Sequence, residues 1–299
     1  MSLPPEPGRE LDHALQNAAV ERRRAARAAE VATRHETQMA SAAEGMRAFH
    51  ARMAAMHRQV EQQHRTAARI HSAHADRLRR WCEGLIDDLQ VQSGFMEAVA
   101  ETLGASGAAL TLFGSDEAET LAAASNPASR SAQRLEFTLG QGPAREAVQL
   151  CRPITAAGRQ MAQTWPIYGP AVEQLGIRAV AAVPVATAGA HLGALTVFDP
   201  PRTHCPDLET FQSAADTLAV SLLSPWGARD GEEPTDCWPP LLDRADPWAV
   251  VNQAAGMVSV QFRCGIADAL ALIKAHAYAE NQPVDEVAAA IVDRTLRLS

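Results

Sequence analysis

The run "AVAAVPVATAGAHLGALTVF" (residues 179–198) contains no Asp, Glu, Lys or Arg. Its length would allow it to cross a membrane as a helix. However, Pro184, Gly189, His191 and Gly193 interrupt the run at intervals that suit short strands. We therefore predict two buried β-strands joined by a turn, and no membrane span.

The flanking segments extend this strand pair into a larger domain. Alternation predicts another strand pair at residues 108–113 and 119–125, and helical periodicity predicts helices at 84–103 and 205–224. The last helix has one apolar face, formed by Leu208, Phe211, Ala215, Leu218 and Leu222. Helices at both ends of a mostly antiparallel sheet indicate an α+β domain.

Three sequence segments of this region resemble the GAF family: "FTLGQGPAREAVQLCRPI" (137–154), "LGIRAVAAVPV" (175–185) and "GALTVFDP" (193–200). The resemblance covers most of residues 82–225, which we expect to be a GAF domain with an antiparallel sheet. It implies a cup over the sheet that holds a small molecule in some relatives. No bilin cysteine, cyclic-nucleotide motif or haem pattern is recognisable, so no cofactor is assigned. A ligand sensor and a dimer-forming spacer both stay open.

Residues 1–10 are expected to be disordered, and residues 11–81 to form an α-helical coiled coil. The seam positions there are spaced alternately by three and four residues without interruption, and all but Gln63 are apolar: Met39, Ala42, Met46, Phe49, Met53, Met56, Val60, Gln63, Ala67 and Ile70. One straight helix would reach roughly 105 Å and would need a partner. Either a second copy pairs with it or the chain folds back, with Gly45 as the candidate bend. Because Gly45 has no turn residues beside it, we expect a parallel homodimer.

Four histidines recur every seven residues beside this seam, at His50, His57, His64 and His71. Successive members lie about 10.5 Å apart along one helix, which is too far to share a metal ion within a chain. They are predicted to be polar residues flanking the seam, with a pH-sensitive interface as the alternative.

Charge is distributed unevenly along the chain. The formal net charge is −8, yet the first 80 residues carry 14 Arg and no Lys against 9 acidic residues. The five cysteines lie far apart, without CxxC or zinc-ligand spacing, at Cys82, Cys151, Cys205, Cys237 and Cys264. They indicate reduced thiols, and the first residues do not have the pattern of a signal peptide. We expect a cytoplasmic protein without a metal site.

A Pro-, Gly- and acid-rich linker (residues 226–246) precedes three predicted helices. Asp246 and Pro247 begin the first, which ends near Arg263, where Gly265 is expected to take the left-handed conformation. Asn281 is expected to end the second helix and Pro283 to begin the third. The predicted core comprises Val251, Ala254, Ala255, Val258, Phe262, Leu270, Ile273, Ala277, Val284, Val287, Ala288 and Ile291.

Two outer faces of this small bundle are unusual. Gln253, Gly256 and Val260 face away from the core, although an exposed glycine inside a helix costs about 1 kcal/mol relative to alanine. Another helix or a ligand backbone is therefore expected to approach there. The second helix carries a stripe of Ala267, Ala271, Lys274 and Tyr278. A cation for phosphate and an aromatic ring for an unpaired base suit single-stranded RNA loops.

Two sequence segments resemble the ANTAR family: "QAAGMV" (253–258) and "GIADALALIKAHAYAENQPVDEVAAAIV" (265–292). Residues 247–299 are therefore expected to be the three-helix bundle of that family. The resemblance implies a dimeric transcription antiterminator that binds two adjacent RNA stem-loops. The RNA-facing positions it implies are Gln253, Ala254, Gly256, Met257, Lys274, His276, Ala277 and Tyr278. Two positions depart from the family pattern: Ala255 replaces a basic residue that is frequent there, and Lys274 replaces an arginine.

The sequence thus predicts an RNA-binding antitermination regulator that acts as a homodimer on hexaloop hairpins. The alternative is a GAF-based small-molecule sensor or coiled-coil scaffold that signals to a protein partner without RNA. Residues 241–299 carry 5 basic and 7 acidic side chains, so recognition would depend more on stacking than on phosphate contacts. No GxSxG, HExxH or phosphate-loop motif occurs, and no cysteine has an identifiable partner in the sequence; we expect no enzymatic activity.

Overall fold

The computed structural model describes residues 7–86, 94–114, 119–187, 190–201, 207–223, 247–280 and 282–298. The helices are α1 (Pro7–Ser41), α2 (Glu44–Cys82), α3 (Gly94–Thr102), α4 (Pro127–Leu139), α5 (Pro143–Gln149), α6 (Arg159–Thr164), α7 (Tyr168–Gln174), α8 (Leu208–Leu223), α9 (Pro247–Phe262), α10 (Ile266–Ala279) and α11 (Val284–Val292). The strands are β1 (Gly107–Phe113), β2 (Glu119–Ala124), β3 (Ile154–Ala157), β4 (Ala179–Thr187) and β5 (Ala190–Phe198).

Helices α1 and α2 form an antiparallel hairpin, so the prediction of one continuous helix is wrong. The chain turns between Ser41 and Glu44, where Ala43 has extended backbone angles (φ −60°, ψ 153°). Gly45 already belongs to α2. The hairpin buries within one chain part of the apolar seam that we had expected a second copy to cover. Pairing of two hairpins in a homodimer stays a prediction.

Small residues allow the two helices to approach closely. The buried residues of α1 are all alanine: Ala14, Ala18, Ala25, Ala28 and Ala32. On α2, Ala67 and Ile70 of the predicted seam are buried, but Met46, Phe49 and Met56 remain 49%, 41% and 46% exposed. The seam is therefore filled at the open end of the hairpin and stays on the surface near its turn.

The middle domain contains a five-stranded antiparallel sheet in the order β2-β1-β5-β4-β3. The strand pair predicted within residues 179–198 is confirmed as β4 and β5, with Val183 opposite Leu195. The other predicted pair is confirmed as β1 and β2. Sequence analysis missed β3, whose Ile154 lies opposite Ala182 of β4.

Each face of the sheet is covered by helices, as expected of an α+β domain. On one face α3 and α8 pack together with the end of the hairpin, which contributes Ile70 to the shared core. A hydrogen bond from Gln63 to Asp216 (3.0 Å) also joins α2 to α8. On the other face α4 to α7 enclose a core that includes Trp165 and Tyr168.

The last three helices form a bundle whose predicted core is largely confirmed. Val251, Ile273 and Val287 are buried with their neighbours, although Phe262 is 40% exposed. Arg263, not Gly265, takes the left-handed conformation (φ 54°), because Gly265 is the extended residue that precedes α10. The predictions for Asp246, Asn281 and the linker at 226–246 lie outside the described residues.

Within the described ranges, no single helix has both the length and the apolar character needed to cross a membrane. Two consecutive segments, Val250–Phe262 and Ile266–Ala279, meet these criteria only when taken together, and they are bent by 105°.

Candidate nucleic-acid interface

The outer face of α9 leaves its backbone accessible at one point. Gln253 is exposed, Val260 is 80% exposed, and Gly256 lies between them. A Cβ atom built on Gly256 would have no atom within 4 Å among the described residues. The glycine is therefore not required by packing inside the bundle, and a ligand backbone could reach the helix there.

The outer face of α10 combines small side chains with one aromatic ring. Ala267 and Ala271 are exposed, and Tyr278 is 59% exposed. The tyrosine ring thus projects beyond a shallow alanine floor, where a flat partner could stack on it without first displacing another side chain.

The other predicted contact residues lie deeper. Ala254 and Ala277 are fully buried in the bundle core, because they face the neighbouring helices. Met257 is half-buried at the edge of that core, and His276 is half-buried at the end of α10. The two alanines contribute to packing and present no side chain to the surface in this conformation.

Lys274 is covered by the middle domain. Its Nζ lies 3.6 Å from the centroid of the Phe137 ring, which belongs to α4. Phe137 is only 2% exposed and is part of the core cluster of the C-terminal bundle. A lysine held over an aromatic face is a cation–π contact, so the cation of the predicted RNA stripe is occupied within the chain.

A second contact joins the same two units. Arg134 of α4 donates to Asp285 Oδ2 at 2.6 Å, and both side chains are partly buried. Asp285 lies in the first turn of α11, so α4 is tied to two helices of the bundle. Sequence analysis missed Phe137 and Arg134 as binding residues, since no local pattern links α4 to positions more than 130 residues later.

A neighbouring face of α4 is anchored inside the middle domain. Gln133 donates to the Leu110 carbonyl and to Thr111 Oγ1, both at 2.8 Å. Glu136 Oε1 accepts from the backbone N–H of Arg145 at 2.8 Å. A Cβ on Gly142 would lie 2.5 Å from the Glu136 carboxyl carbon, so this glycine makes room for the anchor. Helix α4 therefore links the sheet to the bundle.

Two hydroxyl groups lie unpaired in the core beneath α4. Tyr168 Oη and Thr196 Oγ1 are buried and have no hydrogen-bond partner within the described part of the chain. Burial raises the pKa of Tyr168 well above its ordinary value, and the negative charge of Glu136 adds to the effect. Buried polar groups in proteins are normally hydrogen-bonded, so these two are the groups that a small polar ligand could satisfy.

The histidine row lies within the hairpin contact. His50 Nδ1 is 3.0 Å from His35 Nδ1, and the ring of His57 is stacked on His35 with centroids 6.1 Å apart. His64 Nδ1 contacts Glu21 Oε2 at 2.6 Å. Loss of hydration lowers the pKa of His35, and His50 and His57 lower it further. Within the described residues, no group of three or more His, Cys, Asp or Glu side chains could hold a metal ion.

One cysteine has a partner that the sequence did not reveal. Cys151 Sγ lies 3.4 Å from His191 Nε2, at the surface. Cys151 also has a positive φ of 49°. No partner for Cys151 is identifiable in the sequence, because only the fold brings the end of α5 to the start of β5.

A cleft of about 770 Å³ opens where the hairpin meets α3. Arg22, Arg65 and Arg69 line it, and Asp76 and Glu101 share its wall. This part of the basic hairpin can attract phosphate groups, although the two carboxylates weaken its positive field.

These observations define a helical hairpin, an α+β domain with helices packed on both faces of its sheet, and a three-helix bundle. Residues 90–222 match the family described as "GAF domain", so this segment is a GAF domain. A solved domain assigned to a two-component sensor histidine kinase protein from Sinorhizobium meliloti 1021 is 20% identical, with a TM-score of 0.35. The similarity covers 46% of this chain and 90% of that one. No curated protein matches the chain. A GAF domain indicates a signalling or sensing role.

Proposed function

We propose that the protein is an RNA-binding transcription antitermination regulator whose C-terminal helices form an ANTAR bundle. As a homodimer it binds two adjacent stem-loops in a leader transcript and prevents a terminator hairpin from forming. The protein acts by binding and carries out no catalysis. Its GAF domain supplies the signalling input.

The observation that carries this proposal is the outer face of the bundle. Tyr278 is 59% exposed beside a floor of alanines, and the backbone at Gly256 is open. An aromatic ring stacks on any unpaired base, and an open helix backbone admits a nucleotide at close range. This arrangement suits the loop of a hairpin better than the grooves of a duplex.

The surface of the hairpin supports the homodimer. Met46, Phe49 and Met56 keep the heptad spacing and stay about half exposed near the turn. A second hairpin could cover this apolar stripe. Two bundles held in one dimer would then bind paired stem-loops with a high effective concentration for the second loop.

The test is a titration of the full-length protein with RNA that carries two adjacent hairpin loops. Tyr278→Ala should weaken binding by roughly tenfold, given the usual contribution of base stacking on an aromatic residue. Tyr278→Phe should retain the affinity, because it keeps the ring. Leu272→Ala is the control: Leu272 is 40% exposed on α10, about 200° around the helix from Lys274. Equal binding by Tyr278→Ala and Leu272→Ala would reject this face as the RNA site.

The second candidate is a small-molecule sensor that signals to a protein partner without RNA. The unpaired Tyr168 and Thr196 hydroxyl groups in the GAF core favour it. In this case a metabolite would stay bound through purification and be seen by mass spectrometry, and the bundle would bind no stem-loop RNA.

A further inference from the structure

We propose that the GAF domain masks Lys274, the cation of the RNA-binding face, by holding the C-terminal bundle on helix α4, and that release of the bundle from α4 activates the protein. This inference rests on the proposed function. It concerns the regulation of the same site. Two contacts hold the bundle on α4: Lys274 with Phe137, and Arg134 with Asp285.

The contact that masks the site involves Lys274, which belongs to the predicted RNA-binding stripe on α10. Lys274 lies on α10 between Ala271 and Tyr278, and its ammonium group is 3.6 Å from the centroid of Phe137. A phosphate and this ring would compete for the same cation. Because Phe137 is 2% exposed, α4 must also withdraw before a nucleotide can reach Lys274 from that side.

The charge pair fixes the orientation of the bundle. Arg134 and Phe137 are three residues apart, so they lie on one side of α4. Arg134 reaches Asp285 on α11 while Phe137 reaches Lys274 on α10. Two contacts to two different helices prevent the bundle from rotating about either one.

Helix α4 is also the element through which a signal could enter. An adjacent face of the helix is held by Gln133 on the sheet and by Glu136 on the start of α5. A change in the GAF core that moves either anchor would move Phe137 and Arg134 with it, since all four lie within two turns of one helix.

The experiment uses the full-length protein and two separate readouts. Hydrogen exchange of the α10 amides reports docking without RNA, and titration with two-hairpin RNA reports the function. Phe137→Ala should speed exchange in α10 and tighten RNA binding by roughly two- to thirty-fold, the range expected for loss of a cation–π contact. Arg134→Asp should act in the same direction without removing a buried ring, which guards against misfolding of the phenylalanine variant.

A charge swap provides the matched control. Arg134→Asp combined with Asp285→Arg should restore slow exchange and return RNA affinity toward the wild-type value. If exchange in α10 speeds up while RNA affinity stays unchanged, masking is overturned and the RNA function stands. If no variant binds the RNA even when undocked, both the masking and the proposed function are overturned. Wild-type exchange that is already as fast as in Arg134→Asp would show that the docked state does not persist, and would also overturn masking.

Discussion

Replacement of Gly256 by alanine should make the bundle more stable and its RNA binding weaker. Gly256 lies inside α9, and its added methyl group would meet no atom within 4 Å. The change therefore gains helix propensity, worth about 1 kcal/mol, without a packing cost. In hydrogen exchange of the full-length protein this corresponds to roughly fivefold slower opening of α9. RNA affinity should fall, because the methyl group occupies the open backbone site.

The same substitution at Gly169 is the matched control. A Cβ there would lie 2.5 Å from the backbone carbonyl carbon of Met161, so α6 and α7 would have to separate. Gly169→Ala should destabilise the GAF domain by about 1–3 kcal/mol, as overpacking usually does. Faster opening of α9 in Gly256→Ala would refute the reasoning, since it would mean that a neighbour such as a second copy already packs on the glycine.

Three further predictions concern the hairpin and the surface cysteine. Burial lowers the pKa of His71 to about 4 and that of His74 to about 3; the folded state then resists protonation, and stability should fall as pH drops from about 6.5 to about 3, with His71 alone contributing at most about 3 kcal/mol. Urea titrations across this range test it, and unchanged stability would contradict it. Ile70→Ala should cost about 2–5 kcal/mol, because Ile70 is fully buried where the hairpin packs on α3 and α8 of the middle domain; a loss below 1 kcal/mol in the same assay would show that the two units are not packed together. Cys151, exposed beside His191, should react with iodoacetamide faster in the wild-type protein than after His191→Ala, and equal rates would show that the imidazole does not assist the thiol.

The sequence predicts the sheet and the bundle well because both follow local patterns. The uncharged run at 179–198 could be buried only as strands once Pro184 and its glycines are considered. Likewise, the spacing of Val251, Val258 and Ile273 fixes which sides of the helices meet. These preferences act within one or two turns or along one strand, so they survive without knowledge of the rest of the chain.

What the sequence could not predict depends on contacts between distant segments. An apolar heptad is satisfied equally by a second copy or by a hairpin, and Ala42 and Ala43 carry no turn signal. Strand β3 has four residues, too few for a clear alternation. The contact between Phe137 and Lys274 joins two units that each look complete, so only the fold shows that the predicted RNA-binding lysine is covered.

The most direct test of the central claim is the affinity of the full-length protein for paired and single stem-loops. One RNA carries two adjacent hairpin loops, and a second has one hairpin deleted, at the same salt concentration. The account predicts tight, saturable binding to the pair and much weaker binding to the single hairpin. Equal, weak and strongly salt-dependent binding to both RNAs would contradict it, because the basic hairpin would then be acting as a nonspecific polycation.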